Sequence, residues 1–509
     1  MAVERPVAVD PEVDEPAPTD GSASTVEPAR RGLRRRPQDL VLVGLLLAYV
    51  AARASIAARV EPFRTYDSRS YAGLLDGSNP TATVSFTGHA PRLWGTPLLY
   101  ALAGSDPARA LAQALVGTVA WSVLAVALWF SLRTLTARVV ATVLLLGLAL
   151  TPAAYVWDHT LISESLSINL GLLAFGLLAI WVRTRSRVVL VATTLVVLWW
   201  IFVRQDMLLF VGLVVLVLAG LAWRSRPHRR AAAAALVAVL AGLAWNVAIL
   251  GPTDHTFAKW SASGYSQTEE TFLYRLMVQV MDDPQMRRTY YQDLGMPRCR
   301  PMERATAPKA WRIGAVSQAY TACPALRAWS DEHRMSVGYR YALADPRHYA
   351  WTMEQTLPAA LGSTALHTYG KPVPLLPDGV VQAVYFPAAP RVLPTLGGIT
   401  LVAVLACLLT GALRRRRRLV VVGVVGGLTS VASVLASLML SAGEYTRFGI
   451  QESLYLRISL LVLLVAALDA ALTRRAERTV GPAGPGEEPD PAAAEQGRPE
   501  PATVSSDER

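Results

Sequence analysis

Long apolar stretches recur along the chain and restrict the folds open to it. We count ten, each about 18 to 23 residues long, and a helix of that length crosses a hydrocarbon core about 30 Å thick. Because lipid offers no partners for backbone polar groups, such segments cross it as helices. The sequence therefore predicts an all-α polytopic membrane protein with about ten transmembrane helices. The expected spans are 39–59, 109–132, 139–157, 161–182, 188–204, 207–223, 231–250, 392–413, 419–441 and 455–473.

Arginine clusters between these stretches predict the orientation of the chain. The net charge is +11, and only three of the 49 basic residues are lysines. If the spans alternate in direction, all six clusters lie on one side, which the positive-inside rule makes cytoplasmic. Membrane orientation thus accounts for the basic excess, and we expect no nucleic-acid partner. The clusters are Arg30 to Arg36, Arg133 and Arg138, Arg183 to Arg187, Arg224 to Arg230, Arg414 to Arg418, and Arg474 to Arg478.

Composition predicts the remaining organisation. Residues 1–38 and 474–509 are rich in Pro, acidic and small residues, so we expect disordered cytoplasmic tails. The first apolar run is too long for a signal-peptide core, so it should remain as helix one. Abundant Arg, Ala, Val and Leu with almost no Lys indicate a GC-rich bacterial genome and a bacterial plasma membrane. The predicted parts are a seven-helix module at 39–250 with its first outward loop at 60–108, an extracytoplasmic domain at 251–391, and three C-terminal helices at 392–473, with a short outward loop at 442–455.

The segment 251–391 carries the signals of a small, mainly helical domain. Asp283-Pro284 and Asp345-Pro346 each read as a helix N-cap followed by proline at the first helical position. Cys299 and Cys323 both lie in this segment, and two cysteines in an oxidising compartment predict a disulfide. Two reduced thiols are the alternative.

Charged residues in the outward segments lie at the ends of the predicted helices. Asp67 follows helix one, and a carboxylate there could act as a general base for a hydroxyl acceptor. Its alternative is an interfacial Asp paired with Arg64 or Arg69. Glu164 begins an apolar helix, where it would stabilise the helix N-terminus, line a cavity, or do both. Arg447 precedes the last span, together with Glu444 and Glu452.

Two short motifs add polar residues to this outward face. The stretch WDHTLISESL contains Asp158 and His159, and FVRQD contains Arg204. Arg53 and Arg457 lie inside predicted spans, where such groups face a bundle interior or snorkel to the headgroups. The His, Cys and carboxylate spacing does not resemble a closed metal site, so no metal ligands are predicted.

Taken together, the motifs resemble those of a known superfamily. The matching stretches are RTYDSRSYAGL after helix one, PRLWGTPLLYAL returning to the membrane, ISESLSINL at span four, and the late EYTRFGIQESLYL. With seven spans before a large outward insertion, residues 39–473 resemble the GT-C superfamily of polyprenyl-phosphate-sugar-dependent membrane glycosyltransferases, of the protein O-mannosyltransferase and aminoarabinose-transferase type. The resemblance implies an inverting hexosyl- or pentosyltransferase of cell-envelope assembly. Its partners would be a polyprenyl-phosphate-linked sugar donor and a glycan, protein or lipid acceptor.

The resemblance also implies roles for particular residues. Asp67 would be the catalytic base, and Arg447 and Arg204 would bind the departing phosphate. Relatives often carry an adjacent acidic pair where Asp67 stands alone, which leaves a divalent cation open as the one cofactor considered. A lipid-linked oligosaccharide flippase or transporter, and a non-catalytic GT-C-like envelope protein, remain as alternative functions. The further substrate-binding candidates are Glu164, Asp158, Arg69, Tyr71, His89 and Arg92.

Overall fold

The computed structural model describes most of the chain between the two predicted tails. These described residues are almost entirely helical, and their one isolated bridge joins Phe63 to Thr160. Residues 1–36 of the predicted N-terminal tail and 480–509 of the predicted C-terminal tail lie outside the described residues, whereas 37–38 and 474–479 belong to helices. The described residues are 37–72, 84–224, 228–261, 263–306, 313–362, 373, 375–440 and 444–479.

Apolar helices dominate both ends of the chain, and a set of shorter helices separates them. The first part contains α1 (Pro37–Ala57), α2 (Ser68–Ala72), α3 (Gly95–Ala103), α4 (Asp106–Ser131), α5 (Leu135–Ala149), α6 (Pro152–His159), α7 (Ser163–Thr184), α8 (Arg187–Ile201), α9 (Leu208–Arg224) and α10 (Arg229–Trp260). The middle part contains α11 (Gln267–Arg275), α12 (Pro284–Gln292), α13 (Arg300–Ala305), α14 (Ile313–Thr321), α15 (Pro324–His333), α16 (Val337–Ala344), α17 (Pro346–Leu361) and α18 (Asp378–Val380). The last part contains α19 (Val392–Thr410), α20 (Ala412–Arg415), α21 (Arg417–Leu440) and α22 (Tyr445–Thr479).

Seven of the described helices are long and apolar enough to cross a membrane. They are α1, α4, α7, α10, α19, α21 and α22, and the pair α5 and α6, bent by 49°, makes eight if it counts as one broken span. The helices α8 and α9 are apolar but shorter, at 15 and 17 residues. A helix of 15 residues rises only about 22 Å. The prediction of ten spans is therefore not confirmed, whereas an all-α protein with several spans is.

One large difference from the predicted boundaries lies at the start of α22. Residues 445–455 were expected within a loop, but α22 begins at Tyr445 and is helical throughout this stretch. Charged side chains there find partners inside the bundle: Arg447 contacts two carboxylates from other segments, and Glu452 accepts a hydrogen bond from Ser433 at 2.8 Å. Because these charges are paired, the helix can begin upstream of the apolar run, at Tyr445.

The bundle core forms where α4, α7, α8 and α22 pack together. Trp157, Trp181 and Trp200 are buried in it. Gly171 on α7 permits this packing, because a Cβ at that position would lie 2.6 Å from the Trp200 ring. At the arginine-rich end of the bundle, the fully buried Asp469 accepts a hydrogen bond from the backbone N–H of Thr134 at 2.8 Å and forms an ion pair with Arg416, whose Nε lies 2.6 Å away. The carboxylate thereby ties α22 to the turn before α5 and to the arginine cluster before α21.

The middle segment has an apolar core of its own, formed by helices α11 to α16. Asp283 and Asp345 cap α12 and α17 through their side chains, as the two Asp-Pro pairs predicted. The structure pairs Cys299 with Cys323, whose Cα atoms are 6.1 Å apart. The segment contacts the bundle at the start of α22, where Gln279 Nε2 donates to the Tyr445 hydroxyl at 3.0 Å.

Candidate functional site

Five charged side chains meet at the end of the bundle opposite the buried Asp469. Arg447 Nη1 donates to Asp67 Oδ2 at 2.6 Å, and its Nε donates to Glu164 Oε1. Arg204 Nη1 lies 2.6 Å from the same Glu164 oxygen, and Arg92 Nη2 lies 3.3 Å from Asp67 Oδ1. These residues, which we call the charged cluster, come from the loop after α1, the loop before α3, the start of α7, the turn after α8 and the start of α22.

Glu164 lies at the centre of the charged cluster because of the way α7 begins. It is the second residue of α7, so the partial positive charge of the helix N-terminus favours its ionised form. Its side chain is only 2% exposed, and a carboxylate so deeply buried requires charged partners. Arg204 and Arg447 supply them. The helix α8 ends at Ile201, and the turn that follows places Arg204 against Glu164 on α7.

A short backbone pairing joins the Asp67 loop to the segment before Glu164. Phe63 N–H donates to the His159 carbonyl at 2.8 Å, and Leu161 N–H donates to the Phe63 carbonyl at 2.9 Å. This pairing holds the loop after α1 against the α6–α7 junction. Asp67 and Glu164 can then share Arg447 although they lie on different segments.

Arg92 is held in place by neutral neighbours as well as by Asp67. Its guanidinium lies over the rings of Tyr71 and Phe257, at 4.9 and 5.0 Å from their centroids, and its Nε donates to Ser70 Oγ at 2.7 Å. The Tyr71 hydroxyl lies 3.0 Å from Ser163 Oγ. Of the two predicted substrate-binding candidates here, Arg92 thus belongs to the charged cluster and Tyr71 borders it.

The electrostatics of the charged cluster keep Asp67 ionised. Burial raises the pKa of Asp67, but Arg447 and Arg92 outweigh burial and lower it to about 2. Glu444 also contacts Arg447, at 3.0 Å, and burial raises the pKa of its carboxyl above the usual value. Counting Glu444, three carboxylates face three guanidinium groups. The cluster therefore has no net charge when all six groups are ionised.

The charged cluster is partly exposed. Asp67 is 25% exposed and Glu444 is 44% exposed, whereas Glu164 is closed off inside. Tyr66 is also exposed beside Asp67. Tyr274 on α11 lies near it: burial raises its pKa to about 12, with further raising contributions from Glu270, Tyr66, Glu444 and Asp67. The helix α11 therefore borders the exposed part of the cluster.

Asp158, predicted to bind substrate, faces the bundle interior instead of the charged cluster. It is 2% exposed and forms a buried ion pair with Arg53. Its other oxygen accepts hydrogen bonds from Ser165 Oγ at 2.5 Å and Asn169 Nδ2 at 2.8 Å. Arg53 is buried and paired, so it does not snorkel. These contacts surround the carboxylate with protein, away from the charged cluster.

The other predicted residues divide according to exposure. Arg69 and His89 are exposed, and the backbone N–H of His89 donates to Ser85 Oγ at 2.9 Å. Arg64 pairs with Asp106, whereas Asp67 pairs with Arg92 and Arg447. Sequence reasoning missed Tyr274, because nothing in the local sequence indicates that α11 lies beside Asp67. Among the described residues, no group of three or more His, Cys, Asp or Glu side chains is arranged to hold a metal ion.

Comparisons with protein-family models, curated proteins and solved structures found no match to the chain. The class is therefore defined by the structure alone. It is a multi-pass helical membrane protein with seven described helices long and apolar enough to span a membrane. An ionic cluster that is charge-balanced when Glu444 is counted lies at one end of its bundle.

Proposed function

We propose that this protein is a membrane glycosyltransferase that moves a sugar from a polyprenyl-phosphate donor to an acceptor hydroxyl in the cell envelope. One observation carries the proposal. Asp67 and Glu164 share Arg447 at the end of an apolar bundle, with Arg204 and Arg92 as their further partners. A carboxylate beside several guanidinium groups is the chemistry required to accept a proton while a phosphate leaves. The motifs that resemble the GT-C superfamily contain Asp67, Arg92, Glu164 and Arg447.

The proposal includes a topology with ten spans and the charged cluster on the extracytoplasmic side. Its support is the course of α8 and α9. Arg204, after α8, pairs with Glu164 at the cluster, whereas the turns at Arg185 and His228 border a common cavity at the arginine-rich end. Both short helices therefore run from one end of the bundle to the other. With them and the bent pair, the spans number ten, both termini are cytoplasmic, and the disulfide-bearing segment lies outside.

In the proposed reaction, the acceptor oxygen attacks C1 of the sugar. The bond between C1 and the phosphate oxygen breaks, and its electron pair leaves with the phosphate. The hydroxyl proton passes to Asp67. Arg447 and Arg204 stabilise the negative charge that grows on the phosphate, since guanidinium groups bind phosphate oxygens with two parallel hydrogen bonds.

The low pKa of Asp67 gives donor binding a second role. A carboxylate with a pKa of about 2 is a weak base, because general bases work best with a pKa near the working pH. In the proposed cycle, the donor phosphate accepts hydrogen bonds from Arg447 in place of Asp67. The carboxylate of Asp67 then loses part of the positive charge that lowers its pKa. Its pKa then rises, so the base becomes stronger when the donor is bound.

Transfer of a sugar by purified protein tests the proposal. The measurement uses polyprenyl-phosphate-linked sugars with envelope glycan acceptors, and compares Asp67→Asn with Asp106→Asn. Asp106 is a matched control because it pairs with Arg64 and Arg109 outside the charged cluster. We expect Asp67→Asn to lower transfer roughly 100-fold or more, and Asp106→Asn to keep it within a few-fold. Equal transfer by Asp67→Asn and wild type would contradict the role of Asp67, and movement of unaltered donor across vesicles would favour a flippase.

A further inference from the structure

A basic cavity lies at the arginine-rich end of the bundle, far along α7 from the charged cluster. It measures about 770 Å³ and lies between the α7–α8 turn and the start of α10. Such a volume falls in the range of small-molecule sites. Every ionisable residue among its described lining residues is basic or histidine. They are Arg185, Arg187, His228 and Arg230, with Trp181 as an aromatic neighbour.

Two helices begin beside this cavity with cations in place of anions. Arg187 is the first residue of α8, and Arg230 is the second residue of α10. Neither first turn contains an acidic residue, and neither N-cap side chain accepts a capping hydrogen bond. Helix N-termini carry partial positive charge and unpaired N–H groups, so arginines there are unfavourable unless an anion is present. The two N-termini and their arginines thus form a site that favours an anion.

Arg185 provides independent support for an anion in the cavity. It ends α7 in the left-handed conformation, with a φ of 57°. The guanidinium lies 5.7 Å from the Trp181 ring centroid. Its Nη1 is buried and has no hydrogen-bond acceptor within the described residues. A buried N–H without an acceptor costs free energy, and a phosphate oxygen would supply the acceptor.

The surface next to the cavity indicates that the anion belongs to a lipid. Val188, Val191 and Leu195 are exposed and occupy one face of α8, and Val191 lies one turn beyond Arg187. An acyl chain attached to a headgroup in the cavity can lie along this apolar face. Free phosphate would gain nothing from it.

We propose that this cavity binds the phosphate of an anionic phospholipid, with its acyl chains along the exposed face of α8. Basic pockets between membrane helices recognise such headgroups. In the proposed topology, the lipid belongs to the cytoplasmic leaflet. The inference does not depend on glycosyl transfer, since none of its residues belongs to the charged cluster.

Native mass spectrometry of the full-length protein tests the proposal. The probes are phosphatidylglycerol, phosphatidylcholine of the same acyl length, and inorganic phosphate. We expect the protein to retain phosphatidylglycerol in preference to phosphatidylcholine. Each of Arg185→Gln and Arg230→Gln should weaken retention roughly fivefold, as expected for one arginine near an anionic lipid. Arg229→Gln is the matched control, because Arg229 is exposed, adjoins Arg230 and does not line the cavity.

Three outcomes would overturn the proposal. Equal retention of the two lipids would exclude recognition of the anionic headgroup. Equal losses in Arg229→Gln and Arg230→Gln would mean that surface charge, and not the cavity, attracts the lipid. Binding of inorganic phosphate without retained lipid would assign the cavity to a free anion. Thermal unfolding of each variant, measured without added lipid, separates loss of binding from loss of the fold.

Discussion

At the scale of residues, Arg447 joins the three carboxylates at the end of the bundle. Its guanidinium reaches Asp67, Glu164 and Glu444, which approach from three different directions. Only a planar group with several N–H donors can make these contacts at once. Lysine has the same charge but presents it from one atom. The geometry, and not only the charge, therefore distinguishes arginine at this position.

We expect Arg447→Lys to reduce the proposed sugar transfer at least tenfold, because the lysine cannot hold Asp67 and Glu164 together while binding phosphate. The measurement is kcat/KM with a polyprenyl-phosphate sugar. Arg64→Lys serves as the control, since Arg64 also pairs with a carboxylate but lies outside the charged cluster. Unchanged kcat/KM in Arg447→Lys would mean that a single positive charge suffices.

The depressed pKa of Asp67 predicts a pH dependence of stability. The pKa falls from 3.8 to about 2 in the folded protein. The ionised carboxylate therefore stabilises the fold fully above its unfolded pKa, and this contribution is lost as the pH falls through about 2. We expect wild type to unfold at a higher temperature than Asp67→Asn near neutral pH, with the difference shrinking between about pH 4 and pH 2. The exposed Asp378→Asn should give no such pH-dependent difference.

At the scale of elements, the α6–α7 junction determines where the charged cluster forms. The Gln113 side chain on α4 donates to the carbonyls of Asp158 and Thr160, both at 3.0 Å. The Arg53–Asp158 ion pair joins α1 to the same junction. Since α7 begins three residues after Thr160, these contacts also position Glu164. A buried pair outside the cluster thus supports its geometry.

Asp158→Asn should be strongly destabilising, because it leaves the Arg53 charge buried without its anion. Removing one partner of a buried ion pair costs roughly 3–5 kcal/mol. We expect a clear fall in the unfolding temperature in detergent, and a smaller fall when Arg53→Leu is added. If the double variant loses as much as the sum of the single variants, the two side chains do not interact.

The disulfide should stabilise the middle segment by about 3 kcal/mol, as expected for a loop of this length. Cys299 and Cys323 are separated by 24 residues. We expect Cys299→Ser, without reductant, to be cleaved by protease in helices α11 to α16 as fast as reduced wild type. Cys407→Ser is the control, because Cys407 is buried in α19 and unpaired among the described cysteines. Equal protection of Cys299→Ser and oxidised wild type would contradict this stabilising role.

At the scale of the whole molecule, the two ends of the bundle differ in chemistry. One end contains the charge-balanced cluster and adjoins the middle segment. The other contains most of the arginine clusters and the basic cavity. This asymmetry is the basis of the proposed orientation, because positively charged loops remain on the cytoplasmic side.

The orientation is tested by labelling single cysteines in intact cells with a membrane-impermeant maleimide. Tyr339→Cys, at an exposed position of α16, should react from outside. Arg474→Cys, at the exposed end of α22, should react only after the membrane is permeabilised. The reverse pattern would contradict the orientation, and with it the proposed extracytoplasmic site.

Hydropathy and charge along the chain were enough to predict a helical membrane protein. They also placed the candidate site residues at the outward ends of the helices. Hydropathy over about 20 residues is a local property, so the apolar helices could be recognised without knowing their neighbours. The prediction near residue 445 was limited for the same reason. A helix that buries charged side chains in a bundle needs partners for them, and those partners lie on other segments.

Only the tertiary structure decided which charges meet. Arg64 is close to Asp67 along the chain, yet it pairs with Asp106, while Asp67 pairs with the more distant Arg92 and Arg447. Arg447 in turn lies 283 positions from Glu164. Asp158 and Glu164, six positions apart, face different partners because one points into the bundle and the other towards its end. Ion pairing depends on distance in space, which the packing of the helices sets.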